Sequence, residues 1–363
     1  MKRNWSDIQN ILCIRLDNMG DLLMSSPAIH ALKETFRCKI TVLTSSMAAT
    51  IAKYIPGIDN VIVSDVPWVK SDSNEGAPGF YQLAESLRKL KFDAAVIFTV
   101  FSQNPMPAIM LAYLAGIPQR LAYCRENPYE LLTHWVPDKE PYSKINHQVL
   151  RDLGLVSSVQ AFTKNDELTL QVPNGAYSAM EQKLKNKGVL LDNNWIIVHA
   201  GASESKREYP EERFKLLLKK IIHELNVQVI LTGTVKDKIL TEHLRAEIED
   251  HSVCIAGLLS LDEFIALIDI APMVLSVNTG TVHIATALKT PVVVLYAMTN
   301  PQHTPWKSPS AVFTFPLDEE IQSKNEILKY VREHVMEKTD YPDADDILVS
   351  MRKLMRIAQK RIA

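Results

Sequence analysis

The sequence predicts an α/β protein built from two doubly wound, mostly parallel domains. Three observations carry that prediction. Short apolar runs alternate with helix-spaced stretches through one half of the chain, and the alternation then restarts in the other half. A chain of 363 residues is too long for one ordinary core. The stretch 274–306, VLSVNTGTVHIATALKTPVVVLYAMTNPQHTPW, condenses the pattern into one strand, tight polar loop, short helix and second strand.

In order, 11–16 reads as a buried strand, 17–21 as a turn, and 22–36 as a helix in which Pro27 makes a kink or delays the start. Strands follow near 39–43, 60–63 and 94–98, with helices near 47–54, 80–90 and 105–114. Between 120 and 142 the pattern lapses into RLAYCRENPYELLTHWVPDKEPY, rich in aromatic, basic and proline residues and too long for a routine connector. A helix near 145–153, a short strand at 168–170 and a helix at 177–187 complete a first domain of residues 1–188. The second domain, 189–342, opens on a linker near 189–194. Strands at 195–200, 228–232 and 253–255 then alternate with helices at 210–225, 235–249 and 261–268, ahead of the stretch at 274–306. Residues 343–363 form a last helix with acids at its start and bases at its end, as the helix dipole prefers.

Composition sets bounds on function. The content of 47% hydrophobic and 23% charged residues is that of a soluble globular protein, and a net charge of -2 leaves no footprint for nucleic acid. Cys13, Cys38, Cys124 and Cys254 are scattered without a CxxC pair, which favours free thiols in a reducing compartment. The N-terminus lacks the long apolar core of a signal peptide, and no stretch approaches a membrane span, so a cytoplasmic location is expected.

The candidate chemistry gathers in loops that follow strands. Free N–H groups of Thr279, Gly280 and Thr281 at a helix N-terminus favour a phosphate, although an ordinary βα turn has the same composition. His199-Ala200-Gly201-Ala202-Ser203 ends another strand, with Lys206 placed to neutralise a phosphate or else to sit solvated on a surface loop. Thr232-Gly233-Thr234 with Asp237 repeats the arrangement, and Asp237 can take ribose hydroxyls or cap a helix. In the first domain Gly20-Asp21 follows the first strand. Asp21 can face a ligand or cap the helix, and Asp17 is a rival carboxylate in the same turn. Dinucleotide, Walker, HExxH and GxSxG signatures are missing; Asp343-Ala344-Asp345 opens a helix as a cap would; and ten scattered histidines give no ligand spacing, so no metal is expected.

These residues resemble glycosyltransferase family nine, the group of ADP-heptose–lipopolysaccharide heptosyltransferases. The resemblance spans nearly the whole chain and rests on IRLDNMGDLLMSSPAIHAL (14–32), VHAGASESKREYPEERF (198–214), LTGTVKD (231–237) and SVNTGTVHIATALKTPVVVLYAMTNP (276–301). It implies the GT-B fold of two facing Rossmann-like domains, acceptor on the N-terminal one and nucleotide-sugar on the C-terminal one, with the last helix crossing back to the first domain. It also implies inverting transfer without a metal or other cofactor, ADP-heptose being one candidate donor. Asp21 matches the family's proposed base, Lys206 its phosphate lysine and Asp237 an acid near the nucleoside. Thr279, Gly280 and His283 match the loop and helix that hold diphosphate and sugar, with His199, Gly201, Ser203, Thr232, Gly233, Asn278 and Thr281 completing the expected donor site. Asn278 stands where well-known members have Asp, and the tail 299–306 departs from the family as well.

For the acceptor we expect an anionic lipid-linked glycan, such as lipopolysaccharide, met by Arg15, Asn18, Gly20, Arg120 and Arg125. Lys139, Lys144, His147 and Arg151 add charge, and Tyr123, Tyr129 and Trp135 add rings that stack on sugars or touch the bilayer. A basic C-terminal face (Arg352, Lys353, Arg356, Lys360, Arg361) can contact anionic lipid at the inner membrane or lie solvated. The rivals are a sugar-nucleotide epimerase of the same fold, a non-catalytic nucleotide-sugar binder, and a dinucleotide oxidoreductase disfavoured by the missing glycine fingerprint.

Overall fold

The computed structural model describes residues 5–69, 76–189, 191, 194–248, 251–297, 300–317, 324–337 and 339–362. Thr299, parts of the expected linker and the side chains of Lys360 and Arg361 lie outside that description. The chain divides into two compact units, Met1–Thr169 and Leu170–Ala363.

In the first unit the order is β1 (Asn10–Ile14), α1 (Met19–Phe36), β2 (Lys39–Thr44), α2 (Ser46–Ala52), β3 (Asn60–Val63) and α3 (Gly76–Lys89). There follow β4 (Ala94–Ile97), α4 (Met106–Leu114), β5 (Gln119–Cys124), β6 (His134–Pro137) and α5 (Gln148–Ser157). The six strands stand in the order β3-β2-β1-β4-β5-β6, each pair parallel. The strand order therefore reverses between β1 and β4, where open α/β sheets bind ligands outside the carboxyl ends of their strands.

The second unit runs α6 (Ala176–Lys185), β7 (Trp195–His199), α7 (Glu211–Leu225), β8 (Gln228–Thr232), α8 (Lys238–Ala246), β9 (Ser252–Cys254) and α9 (Leu261–Ile270). It continues with β10 (Val274–Val277), α10 (Gly280–Ala287), β11 (Val292–Ala297), β12 (Ser310–Phe315), α11 (Glu326–His334) and α12 (Ala344–Ile362). Its sheet, β12-β11-β10-β7-β8-β9, is again parallel throughout, with its switch point between β7 and β10. Covered on both faces, these strands need apolar side chains at every position rather than at alternate ones, which is why they read as unbroken runs. Val274, Leu275 and Val277 are fully buried, as are Val292 to Leu295.

The structure departs from the sequence reading at several points. The 120–142 stretch is no loop but carries β5, a 3-10 turn and β6 at the sheet edge. Residues 168–170 form no strand, although Leu168 is buried. Helix α6, expected to end the first domain, packs on α9 through Lys183–Glu263 at 2.7 Å and Tyr177–Asp269, so the division falls before it rather than at 188. The last helix packs on α7, β11 and β12, where Ile347, Leu348, Met351 and Leu354 enter the second unit's core beside Phe214 and Leu217. Each such buried side chain contributes roughly 1.5–3 kcal/mol. Pro27 does not delay α1, which begins at Met19 and continues past it to Phe36. The four cysteines are free, and burial pushes the Cys38 thiol up to about 11.

Candidate functional site

In the first unit the chemistry centres on Arg15, which leaves β1 fully buried. Its Nε lies 3.2 Å from Asp17 and its Nη2 donates to Asp21 at 3.1 Å. Burial alone would lower the guanidinium pKa, but Asp17, Asp21 and Asp152 hold it raised, so it stays charged. The other Asp21 oxygen accepts the Asn18 N–H at 3.2 Å, reaching back over the first turn of α1. Asp21 thus performs the capping duty foreseen for it while two donors fix its carboxylate. Asn18 is the N-cap residue, and Gly20 lies buried beside it in the first turn.

Below this turn Asp152, from α5, accepts the Ser25 hydroxyl at 2.6 Å and the Gln148 amide at 2.8 Å. Burial pushes its carboxyl up to about 6, against Arg15, Ser25, Arg151 and Gln148, which all favour the ionised form. An ordinary aspartate titrates near 4. Between these values the folded protein holds a proton that the unfolded chain has released, so the contribution of Asp152 to stability falls as pH rises from about 4 to about 6. Asp152→Asn keeps both partners in reach and cannot ionise. Its stability relative to the native protein is expected to improve by on the order of 1–3 kcal/mol between pH 4.5 and 7.5, read from denaturant midpoints at the two pH values. A constant difference across that window would show that Asp152 does not titrate there.

The arginines assigned to an anionic acceptor are committed elsewhere. Arg120 is 8% exposed and donates to the carbonyls of Leu131 at 2.7 Å and Glu130 at 2.8 Å, and to that of Ile117. Arg125 donates to the carbonyls of Phe101 and Glu140 and sits 3.8 Å from Asp138. Arg151 is forked onto Asp138 at 2.8 and 3.0 Å, reaches Glu140 at 3.1 Å, and covers the Tyr123 ring. These guanidiniums brace β5, β6 and α5, because a buried charge needs partners more than a ligand does. Tyr129 is exposed, and Trp135 donates its ring N–H to Cys124 O at 2.8 Å.

In the second unit the strand register brings the sequence motifs together. Ser276 pairs with His199 and His199 with Thr232, so the loops that follow β10, β7 and β8 leave one carboxyl edge side by side. The 3-10 turn Ser205–Arg207, carrying Lys206, lies against β11. Asn278 Oδ1 accepts the Ala297 N–H at 3.3 Å, tying the end of β10 to that of β11, a tether an amide or a carboxylate could make. Thr279 precedes α10 without capping it, leaving Gly280 and Thr281 to open the helix at that edge. His283 is buried one turn in, its ring 6.5 Å from that of His303.

The Thr232 hydroxyl lies 3.3 Å from Val198 O and 3.0 Å from His199 Nδ1, which ties the imidazole to β8. Burial pushes His199 down to about 4, with Asp237 pulling the other way, so it is neutral at pH 7. Asp237 accepts the Thr234 N–H at 2.6 Å and the Thr234 hydroxyl at 2.7 Å, again as a reach-back cap. A Cβ on Gly201 would lie 2.3 Å from that carboxyl group, and one on Gly233 would lie 2.7 Å from Asp237 Cβ. Gly201 is therefore required by the close approach of the two loops, and Gly233 by the folding of Asp237 back over its own loop. Lys206 pairs with Glu204 at 2.6 Å, and Ser203 stands in the same loop. Donor candidates from three separate loops thus converge on one edge, at the switch point, with amides, a lysine and a neutral histidine suited to a diphosphate.

Residues 80–331 match the profile of glycosyltransferase family 9 (heptosyltransferase). The chain belongs to that family. Lipooligosaccharide heptosyltransferase 2 of Haemophilus influenzae is 26% identical to this family 9 chain over 308 residues, which cover 82% of it and 85% of the relative. Lipopolysaccharide heptosyltransferase 2 of Escherichia coli is 24% identical over 307 residues, covering 81% and 84%. The fold of a family 9 glycosyltransferase from Veillonella parvula superposes with a TM-score of 0.79 at 16% identity, over 98% of this chain and 99% of that one. E. coli ADP-heptose LPS heptosyltransferase II gives 0.71 at 22%, over 97% and 100%. The family 9 chain accordingly has the GT-B architecture, one doubly wound sheet in each unit.

Sequence reading missed Gln103, Ser25, Gln148 and Asp152 around the Arg15 cluster. Gln103 carried a signal, since it follows β4 at the switch point and donates to Asp17. Asp152 carried none, because nothing in a helix sequence announces a partner on α1.

Proposed function

We propose that this glycosyltransferase moves a heptose or related sugar from a nucleotide-diphosphate donor to a lipopolysaccharide-type or other cell-surface glycan, with inversion and without a metal. The observation that carries the reading is the convergence of the His199–Lys206, Thr232–Asp237 and Asn278–His283 loops on one carboxyl edge. Its family membership and its likeness to an ADP-heptose enzyme support the donor class.

In this mechanism Asp21 takes the proton of an acceptor hydroxyl while that oxygen bonds to the anomeric carbon. The carbon's bond to the diphosphate breaks on the opposite face, and the electron pair leaves with the nucleotide. An oxygen with two lone pairs can hold one orienting donor and still receive a proton, so Arg15 and Asn18 place the carboxylate without blocking it. Lys206 and the amides of Thr279 to Thr281 offset charge growing on the leaving group.

The test is a transfer assay with nucleotide-diphosphate heptose and a lipopolysaccharide-core acceptor, run with and without a chelator. Nucleotide release coupled to a product of inverted anomeric configuration, undiminished by the chelator, is expected. Conversion of donor in the absence of acceptor would sink the reading in favour of an epimerase, and retained configuration or chelator-sensitive turnover would remove the mechanism.

A further inference from the structure

Beside the Arg15 cluster lies a cavity of about 220 Å³ at the switch point of the first unit, formed where β1 and β4 end and α4 begins. Its walls are apolar, with Leu16, Trp68 and Pro107 prominent. Its polar lining residues are Asp17, Thr99, Gln103 and Asn104, and among the described residues no Lys, Arg or His lines it. Asp17 accepts the Gln103 amide and is ion-paired with Arg15, whose Nε is 3.2 Å away, so its carboxylate is pinned where it meets the cavity. Trp68 is half-buried, set edge-on to Phe80 with ring centroids 5.6 Å apart. A second, more open hollow of about 390 Å³ begins across Trp68 and Pro107 and is lined by Phe80, Tyr81 and Met110.

We infer that this cavity is a subsite for one uncharged pyranose ring of the acceptor. An aromatic wall in one cavity with hydroxyl-binding carboxylate and amide groups matches the two sides of a sugar, an apolar C–H face and a rim of hydroxyls. A sugar acid or phosphate entering the same space would set an anion against Asp17, with no cation among the described lining residues to offset it. Arg120, Arg125 and Arg151 are each committed to carbonyls or acids of their own unit. The volume holds a single ring, and a longer glycan continues into the neighbouring hollow. Only the word acceptor rests on the transferase reading; the cavity and its chemistry do not.

The test is ligand-observed NMR titration of the full chain with methyl hexosides, a methyl heptoside, a methyl glucuronide and a hexose phosphate. The neutral rings are expected to bind at least about tenfold more tightly than the two anionic ones. Trp68→Ala weakens the neutral rings about tenfold by removing the stacking face, and Asn104→Ala weakens them severalfold, while nucleotide-diphosphate binding in both variants stays at the native value and reports an intact fold. Equal binding of charged and neutral rings, no binding of any ring, or a Trp68→Ala protein that binds them unchanged overturns the inference. Neutral rings that bind through Trp68 in a protein showing no sugar transfer keep the subsite and remove the transferase reading instead.

Discussion

Asp21→Asn is expected to lower the turnover of sugar transfer by about two to four orders of magnitude, the usual worth of a positioned general base. The Kd for the nucleotide-diphosphate sugar should stay within about a factor of two, because Asp21 belongs to the first unit and the donor loops to the second. The substitution preserves size but not bonding. A carboxylate accepts from Arg15 Nη2 through one oxygen and from Asn18 N–H through the other, whereas an amide can satisfy one and must turn its own NH2 toward the other. A lost reach-back cap costs about 1 kcal/mol, so a few degrees in melting temperature should accompany the catalytic loss. Turnover from nucleotide release and Kd from calorimetry separate the two effects. A variant keeping more than about a tenth of native turnover would take Asp21 out of the base role and leave it a helix cap.

Lys206→Ala should raise the Kd for the nucleotide diphosphate about 10- to 100-fold, the range expected for one charged hydrogen bond. The ammonium now pairs with Glu204 at 2.6 Å, with both side chains about a third exposed, so that pair is screened and readily exchanged for a phosphate. Arg207 also approaches Glu204, at 3.6 Å, and can keep it company when Lys206 turns. Two companion measurements sharpen the case. Binding by the native protein should weaken with salt more steeply than binding by the variant, and Glu204→Gln should tighten binding severalfold by releasing the lysine. An unchanged Kd for Lys206→Ala would make the residue solvated surface.

The strand-and-loop logic of the donor edge was readable because each of its signals is local. An apolar run fully covered by helices reads as a strand, and a glycine or a short polar turn must follow where the backbone leaves the sheet. His199-Ala200-Gly201, Thr232-Gly233 and Asn278-Thr279-Gly280 each announce such an exit. The sheet edges were harder. In β12 most side chains are only half-buried, so its run carries no clear period. In β6 exposed and half-buried residues alternate within four positions that aromatic and proline neighbours obscure. The arginines misled for a related reason. Basic residues in an aromatic stretch look like a ligand surface until their acids and carbonyls are known, and those come from as far away as Thr99 for Arg151 and Phe101 for Arg125.

By itself the sequence determined that there are two doubly wound units, which loops sit at carboxyl ends of strands, and which family the motifs belong to. These follow from hydrophobic periodicity and from residues that only certain backbone turns accept. Only the tertiary structure decided that Arg15 clamps Asp17 and Asp21 together, that Gly201 and Gly233 are required by the Asp237 side chain, that Arg120, Arg125 and Arg151 bond to carbonyls and acids of their own unit, and that Trp68 and Asp17 line one cavity. Each of those pairings depends on which strands become neighbours in the sheet and which helix covers them, and burial then selects the partner of every charge.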